Sequence, residues 1–448
     1  MIAPVARWAD RLIAWRSGRR YPEYLAESRR IERLPRDEFV AWQWERLRAL
    51  LRYAHDNVPY WRAQFDRLGA RPEDFTGPDH LRLLPALTKD DFQRRAGELA
   101  SASPPDGRIT RSSTGGSTGR NIWFLIDADT HDRRRAAGRL VESWDGVAPG
   151  TRTATLWGAS LDATPSRGAR LYDRLTNRMF LSAYGVGDAE LADYMHRLQR
   201  FRPEVIVSYP SILLHAARRA GRERCRRLGV RLIYCSAEAL FAPVREELAD
   251  LFGAEVRNRY ASREFGMIAG DCPAGGGLHL MEQRLHVELL PGELGGAQEL
   301  LITDLDNRAT PFLRYRIEDL GVALDEPCPC GRPFRRLASV EGRVLDVVVT
   351  PEGRAFGGTF FTLTLRPASP AIRQFQVVQD RIDHLRVRIV PAEGYDAAHR
   401  SAVRAALARA LGPSMRIDLE ECAEIAPLPS GKRRFVVSEL ERASAGPR

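Results

Sequence analysis

Apolar residues recur at helical spacing from Phe39 to His55 and predict one long helix, broken at Asn57-Val-Pro-Tyr-Trp61. Residues 22 to 100 are mostly helical on the same criterion. Leu84-Pro-Ala-Leu-Thr-Lys89 is a short turn before a further helix beginning near Asp90. The pattern then changes. Asp127 to Glu142 is a charged helix, whereas Thr153 to Trp157 and Glu204 to Ser208 are short apolar runs of buried-strand type, with helices between and after them. Tyr209-Pro-Ser-Ile212 leads from the second strand into a helix. Val230 to Cys235 is the next strand and ends in Ser236-Ala-Glu238. Pro243 to Phe252 is a helix stopped by Gly253. Glu255 to Tyr260 is a strand ending in Ala261-Ser-Arg-Glu-Phe-Gly266. This order of strand, motif and helix is an α/β pattern with working loops at the C-terminal ends of strands.

From His279 to Thr303 the alternation is β-like, with Arg284 to Leu290, a Pro-Gly turn, and Gln298 to Thr303. Pro311 to Asp319 follows, and Glu341-Gly-Arg-Val-Leu-Asp346 opens a new unit. Residues 347 to 448 have the pattern of a small α+β domain. Its strands lie near Asp346 to Val349, Arg373 to Val378 and Leu385 to Val390, around a helix from Asp396 to Leu411. A last apolar strand follows Pro427-Leu-Pro-Ser-Gly-Lys-Arg-Arg434. The predicted class is α/β. A large N-terminal domain of several subdomains (1–341), with mixed sheets and flanking helices, precedes a small mobile α+β domain (342–448).

Composition narrows the function. The 448 residues suffice for two or three domains, and 44% hydrophobic with 28% charged residues is ordinary for a globular chain. No apolar run is long enough to span a bilayer. Met1 to Arg20 alternates apolar residues with arginine and lacks the unbroken apolar core of a signal peptide. It predicts a basic amphipathic helix packed on the body, with a membrane-surface role as the alternative. The net charge of +10 comes mostly from arginine, spread evenly and without an aromatic-interleaved stripe. Anionic small molecules are therefore favoured as partners, and nucleic acid is not expected. Six cysteines do not make a disulfide framework, and a reducing cytoplasm is expected. Cys225, Cys235 and Cys422 have the look of isolated buried thiols. A homodimer is compatible with the sequence.

The densest chemical signal is Arg111-Ser-Ser-Thr-Gly-Gly-Ser-Thr-Gly-Arg120. Glycines let a loop turn its own N–H groups inward and let a large anion come close. Hydroxyls add donors, and two arginines flank them. A flexible Ser/Gly linker is the alternative, but a linker seldom runs straight into a segment such as Trp123-Phe-Leu-Ile126. No Gly-Lys-Ser/Thr closes the loop, so it is a phosphate loop of another kind than the Walker type.

Together and in this order, these motifs resemble the adenylate-forming (acyl- and aryl-CoA ligase) superfamily. More closely, they resemble its phenylacetate–CoA ligase branch, with the relatives found at capsule-polysaccharide loci. Ala54-His-Asp-Asn-Val-Pro-Tyr60 and Leu84 to Lys89 narrow the resemblance to that branch, and it runs from about Leu47 to Val437. It implies attack of a carboxylate on the α-phosphorus of ATP, giving an acyl adenylate and pyrophosphate, then transfer to coenzyme A. Such an enzyme needs no nucleophile of its own, because positioning and charge stabilisation suffice.

By this resemblance Ser113, Thr114, Gly115, Gly116, Ser117, Thr118 and Gly119 hold the leaving pyrophosphate. Glu264 binds Mg²⁺. Asn258 and Tyr260 belong to the same motif with Ala261 and Ser262, Tyr260 lying near the adenine. Ala261 replaces the usual glycine, and Arg263 stands where threonine or serine is common. Ser236, Ala237 and Glu238 resemble the adenine-side loop. Asp319 resembles the aspartate that accepts both ribose hydroxyls, since a carboxylate offers two acceptors and no donor. Glu318 beside it departs from the common glycine. Lys432 resembles the catalytic lysine of the mobile domain. Gly342-Arg343 resembles the hinge, with Leu345 in the acidic hinge position and Asp346 one place later.

Cys272, His279, Cys328 and Cys330 supply three thiols and an imidazole, a tetrahedral zinc set. The Cys-x-Cys pair is tighter than usual, and unligated thiols at turns are the alternative. Some members of the branch carry a structural zinc at these places.

Trp157, Tyr209 and Tyr234 sit near predicted strand ends, where they line an acid pocket or belong to the core. The acid is not specified. An acyl acceptor other than coenzyme A, such as a carrier protein, amine or hydroxyl in polysaccharide or natural-product assembly, is a second reading. A degenerate non-catalytic scaffold or basic nucleic-acid binder is a third, opposed by the presence of Lys432, Asp319 and Glu264.

Overall fold

The computed structural model describes residues 2–113, 122–157, 167–182, 188–294, 297–343, 348–352, 355–356, 361, 364–365, 371–426 and 435–440. Amphipathic stretches at the N-terminal end form α1 (Ile2–Arg16), α2 (Tyr21–Ile31), α3 (Arg36–Asn57), α4 (Pro59–Leu68) and α5 (Lys89–Leu99). Pro59 sits in the first turn of α4, where a missing N–H costs nothing, so the predicted break is a change of helix. Thr88 caps α5 in a reciprocal capping box with Asp91.

A two-stranded antiparallel hairpin follows, β1 (Thr110–Ser113) and β2 (Trp123–Ile126). Ser113 pairs with Trp123 at one end of this hairpin. Asp127 then caps α6 (Ala128–Trp144) by accepting from Thr130 N at 2.7 Å.

The strands β3 (Thr153–Trp157), β4 (Arg178–Ser182), β5 (Val205–Ser208), β6 (Leu232–Ser236) and β7 (Glu255–Ser262) form the parallel half of one large sheet. Their connections carry α7 (Arg167–Leu175), α8 (Asp188–Phe201), α9 (Pro210–Ala220), α10 (Arg222–Arg226) and α11 (Ala242–Phe252). β4 is an edge strand with exposed Phe180, which is why its weak apolar pattern escaped the sequence reading. The antiparallel half adds β8 (Gly266–Asp271), β9 (Leu278–Leu280), β10 (Leu285–Leu294), β11 (Ala297–Asp304), β12 (Tyr315–Leu324) and β13 (Arg336–Arg343). The order across this 11-stranded sheet is β10-β11-β12-β13-β9-β8-β7-β6-β5-β3-β4.

One core joins α3–α5 to the antiparallel half, through Leu47, Leu51 and Trp61 against Ile302, Phe312 and Tyr315. A second lies between the parallel strands and α8–α11. A third belongs to the C-terminal region, where β14 (Val348–Val349) and β15 (Ala355–Phe356) precede a four-stranded sheet. That sheet has β16 (Ile372–Arg381) and β17 (His384–Pro391) at its centre, flanked by β18 (Arg416–Glu421) and β19 (Val436–Ser438). The helix α12 (Ala397–Leu411) packs on it through Val403, Leu407 and Leu411. Among the described residues no helix is long and apolar enough to cross a membrane.

Candidate active site

The C-terminal ends of β6 and β7 lie side by side, with Ser236 opposite Arg259. The Ser236 hydroxyl donates to the Arg259 carbonyl at 2.8 Å. Ala237 then turns at φ +69°, a left-handed conformation costly for a residue with a Cβ. The turn delivers Glu238 to the start of α9, where its carboxylate accepts from Ser211 N at 3.1 Å and from the Ser211 hydroxyl at 2.9 Å. An acid at a helix N-terminus satisfies an orphan N–H and meets the positive end of the helix dipole.

Beyond β7 the chain reverses into β8, with Ala261 opposite Met267 and Ser262 opposite Gly266. The Ser262 hydroxyl accepts from Phe265 N at 3.2 Å and closes the turn that carries Glu264. Gly266 has φ +68°, and a Cβ there would lie 3.2 Å from the stem of Arg134. Ala261 is not among the positive-φ residues, so an alanine where the family it resembles usually has glycine imposes no left-handed strain. The Arg263 guanidinium donates to the Ser113 carbonyl at 3.2 Å. That bond joins the Glu264 turn to the end of β1.

A buried charge network lies beneath. Arg134, from α6, donates to the carbonyls of Arg263, at 3.2 Å, and Glu264. Arg284 donates to the Phe265 carbonyl at 3.0 Å and to Asp306 at 2.6 Å. Arg46 reaches the other Asp306 oxygen at 2.7 Å, and Asp304 lies 3.5 Å from Arg134. Burial pushes Asp304 above the ordinary carboxylate value. At Asp306 burial acts the same way, but Arg284, Arg46 and Arg133 outweigh it and hold the group low. Three consecutive carbonyls around Glu264 are thus fixed by two arginines, while the Glu264 side chain is itself mostly buried.

On the other side, the Tyr260 hydroxyl donates to Asp319 at 2.5 Å. Asp319, on β12, pairs with Arg343 on β13. Glu318 has φ +67°, which explains why a glycine is common at this place in the family it resembles. Its carboxylate pairs with the buried Lys89 ammonium from the Leu84–Lys89 segment. That segment lies against β12, since Leu87 N donates to the Arg314 carbonyl at 3.1 Å and Leu87 O accepts from Arg316 N at 2.9 Å. Asn258 is held separately, its N–H donating to Asp271 at 2.8 Å.

The aromatic candidates divide. Tyr234 is fully buried, bonds Asp145 at 2.7 Å and lies under the Arg259 guanidinium, so it belongs to the core. Trp157 and Tyr209, at the ends of neighbouring β3 and β5, have ring centroids 4.6 Å apart. Phe435 packs edge-on against Phe241 of the large lobe at 5.2 Å, a contact between the lobes without a sequence signal.

Cys272, His279, Cys328 and Cys330 meet, their ligand atoms all within 4.8 Å of one another. Cys272 and Cys328 sulfurs are 3.7 Å apart, and Cys330 Sγ is 3.2 Å from His279 Nε2. His279 Nδ1 faces the Phe334 carbonyl at 3.2 Å, which leaves Nε2 to the thiols. Gly277 makes this convergence possible, because a Cβ there would stand 2.5 Å from the Leu337 carbonyl. Burial pushes the Cys272 thiol to about 12 and lowers His279 to about 4. At Cys330, burial is outweighed by donors from Arg332 and by Cys328, and its value falls.

Thr114 to Gly119, Leu345, Asp346 and Lys432 lie outside the described residues. Sequence reasoning missed Arg134 and the Lys89–Glu318 pair. An arginine in an arginine-rich helix carries no distinguishing signal, whereas a glutamate in place of a turn glycine does.

Residues 348–439 match the CapK C-terminal domain family. Over 374 residues the chain is 23% identical to Protein CapK of Staphylococcus aureus, covering 81% of each. Phenylacetate-coenzyme A ligase of Thermus thermophilus is 26% identical over 333 residues, 71% of this chain and 73% of the relative. Among solved structures, 2-hydroxyisobutyryl-CoA ligase in the postadenylation state, in complex with R3-HIB-AMP, superposes with a TM-score of 0.76 at 20% identity over 92% of each chain. The same ligase in the thioesterification state, with 2-HIB-AMP and CoA, gives a TM-score of 0.60 at 22% identity over 91% of each chain.

Proposed function

The chain is a homologue of CapK and the phenylacetate–CoA ligases with the fold of the adenylate-forming ligases, and we propose that it activates a carboxylic acid with ATP and passes the acyl group to coenzyme A. The observation that carries this reading is the bond from Arg263 to Ser113, which joins the Glu264 turn to the hairpin of the glycine loop.

In this reading the loop from Ser113 to Gly119 cradles the β- and γ-phosphates through its N–H and hydroxyl donors. Glu264 fits a magnesium site, because it is a mostly buried carboxylate on a turn bonded to Ser113. Mg²⁺ held by Glu264 would supply positive charge against the charge that develops on the phosphates. Asp319 takes the ribose diol, and Tyr260 orients it while covering the adenine side with Asn258. Glu238 is bonded to Ser211, so Ser236-Ala237-Glu238 offers the base main-chain groups and a wall. Lys432, three residues before Phe435, bridges the carboxylate and the α-phosphate as charge builds. Gly342-Arg343 forms the pivot between the domains 1–341 and 342–448. The acid lies toward Trp157 and Tyr209.

The cysteine–histidine set fits zinc, since three sulfurs and a neutral imidazole nitrogen converge in a buried place. Four protein ligands leave no open position, so zinc held there would be structural, and Cys272, His279, Cys328 and Cys330 would tie the β8–β9 segment to the 328–330 turn.

The CapK C-terminal match favours a second reading of the last step, transfer to a carrier, amine or hydroxyl in polysaccharide assembly. The test is pyrophosphate release across aryl, fatty and hydroxy acids, with and without coenzyme A. Release with one acid class and formation of its thioester supports the first reading. Release without a thioester supports the second, and no release with any acid rejects both.

A further inference from the structure

The N-terminal helix α1 packs with one face and leaves the other to solvent. Ala6, Ala9, Asp10 and Ala14 are buried. Val5, Trp8, Leu12 and Trp15 fall within about 80° of one another at 3.6 residues per turn, on the opposite side. Val5 is 60%, Trp8 67% and Trp15 77% exposed, with Leu12 half-buried between them. Two tryptophans two turns apart on an outward face, each mostly exposed, add little to the packing of the fold.

The charges around this stripe are of one sign. Arg7, Arg11 and Arg16 are exposed, and none makes an ion pair among the described residues. The only acid of the helix, Asp10, points inward, where it accepts from Tyr21 and, at 2.6 Å, from Tyr172, and pairs with Arg135 at 3.2 Å. Helix α7, held to α1 through Tyr172, adds exposed Leu171 and Leu175 one turn apart. Acids that neutralise nearby arginines, such as Asp132 with Arg19, lie beyond the end of α1.

We propose that this face docks on an anionic lipid bilayer surface. Tryptophan rings suit the boundary between headgroups and acyl chains, and arginines beside them meet lipid phosphates. The chain's +10 charge adds long-range attraction. A second copy of α1 is a poorer occupant, because self-pairing would set arginine against arginine with no outward acid to offset them. One shallow helix gives reversible, salt-sensitive attachment.

The test is co-sedimentation of the full chain with vesicles of phosphatidylcholine alone or mixed with phosphatidylglycerol. Binding to the mixed vesicles is expected, with release by salt and little binding to the neutral ones. Trp8→Ser with Trp15→Ser keeps every charge and is expected to lower binding about tenfold or more. Arg11→Gln with Arg16→Gln is expected to lower it by a similar factor. Both pairs are exposed, so the melting temperature stays unchanged. Undiminished binding by the tryptophan variant would reduce the effect to net charge and overturn the proposal. So would failure of the native chain to bind mixed vesicles. A dimer seen by sedimentation velocity and lost in the tryptophan variant, without vesicle binding, would assign the face to a second copy instead. These readouts do not depend on the adenylation reading, and pyrophosphate release by the same variants tests that separately.

Discussion

Tyr260 donates its phenolic hydrogen to Asp319 at 2.5 Å, joining β7 to β12 across three intervening strands of the large sheet. The bond orients the Asp319 carboxylate, the group proposed above to accept from the ribose diol. Asp319→Ala is expected to raise the KM for ATP about 10- to 100-fold, the loss of a charged hydrogen-bond acceptor. Tyr260→Phe keeps the ring and loses only the donor, so its effect is smaller, about three- to tenfold. Initial-rate measurements over a range of ATP concentrations check both. An unaltered KM in Asp319→Ala would remove this residue from the nucleotide site.

The buried Lys89 ammonium pairs with the half-buried Glu318, which sits at a backbone position better suited to glycine. Glu318→Gly relieves the left-handed strain, about 1 kcal/mol, but leaves the Lys89 ammonium buried without its partner. Net destabilisation of about 1–3 kcal/mol is expected. The double variant Lys89→Met with Glu318→Gly is expected to recover most of that loss, a coupling that denaturant unfolding of the four proteins measures. Additive single effects would show that the two residues act independently.

Zinc is expected at one equivalent per chain in protein purified without chelators, measured by plasma emission spectroscopy. Chelation is expected to lower the melting temperature by several degrees, because the two turns lose their common tie. Cys328→Ser should lose both the metal and the response to chelator. A metal-free protein with the native melting temperature would leave four unligated side chains.

His286 sets an acid limit on stability. Burial, aided by the nearby Arg335 cation, lowers it from 6.5 to about 4, while its Nδ1 faces Gln43 at 3.2 Å. Well above pH 6.5 the group is neutral in both states and contributes no pH dependence. As the pH falls from 6.5 toward 4, the unfolded chain takes up a proton that the folded chain refuses, and stability drops. The slope approaches about 1.4 kcal/mol per pH unit. His286→Gln is expected to flatten the stability profile in that window, read from urea unfolding at several pH values.

Lys432→Ala is expected to cut acid-dependent ATP–pyrophosphate exchange by about 100-fold or more while leaving ATP affinity within about threefold. Exchange at the native rate would exclude the lysine from the adenylating step.

The glycine loop, the Glu264 motif, Asp319 and the cysteine–histidine set could each be singled out in the chain as candidates, because each is a short run or residue type that few other purposes require, and the fold brings the four cysteine and histidine side chains together. The alternation of strands and helices gave the α/β class for a related reason, since burial on both faces leaves continuous apolar runs. Three matters were decided only when distant segments met. Glu238 became a cap for α9 because a left-handed Ala237 aims it at Ser211. Arg134 became the support of the Glu264 turn because α6 packs beneath it, a fact that one arginine among many does not announce. Tyr234 proved to be core because Asp145 and Arg259 enclose it, whereas its position near a strand end had left a pocket role open. Local pattern fixes what a segment is, through the backbone's need to pair its own N–H and carbonyl groups. Which neighbour a side chain meets depends on contacts between residues far apart in the chain, and only the folded arrangement determines these.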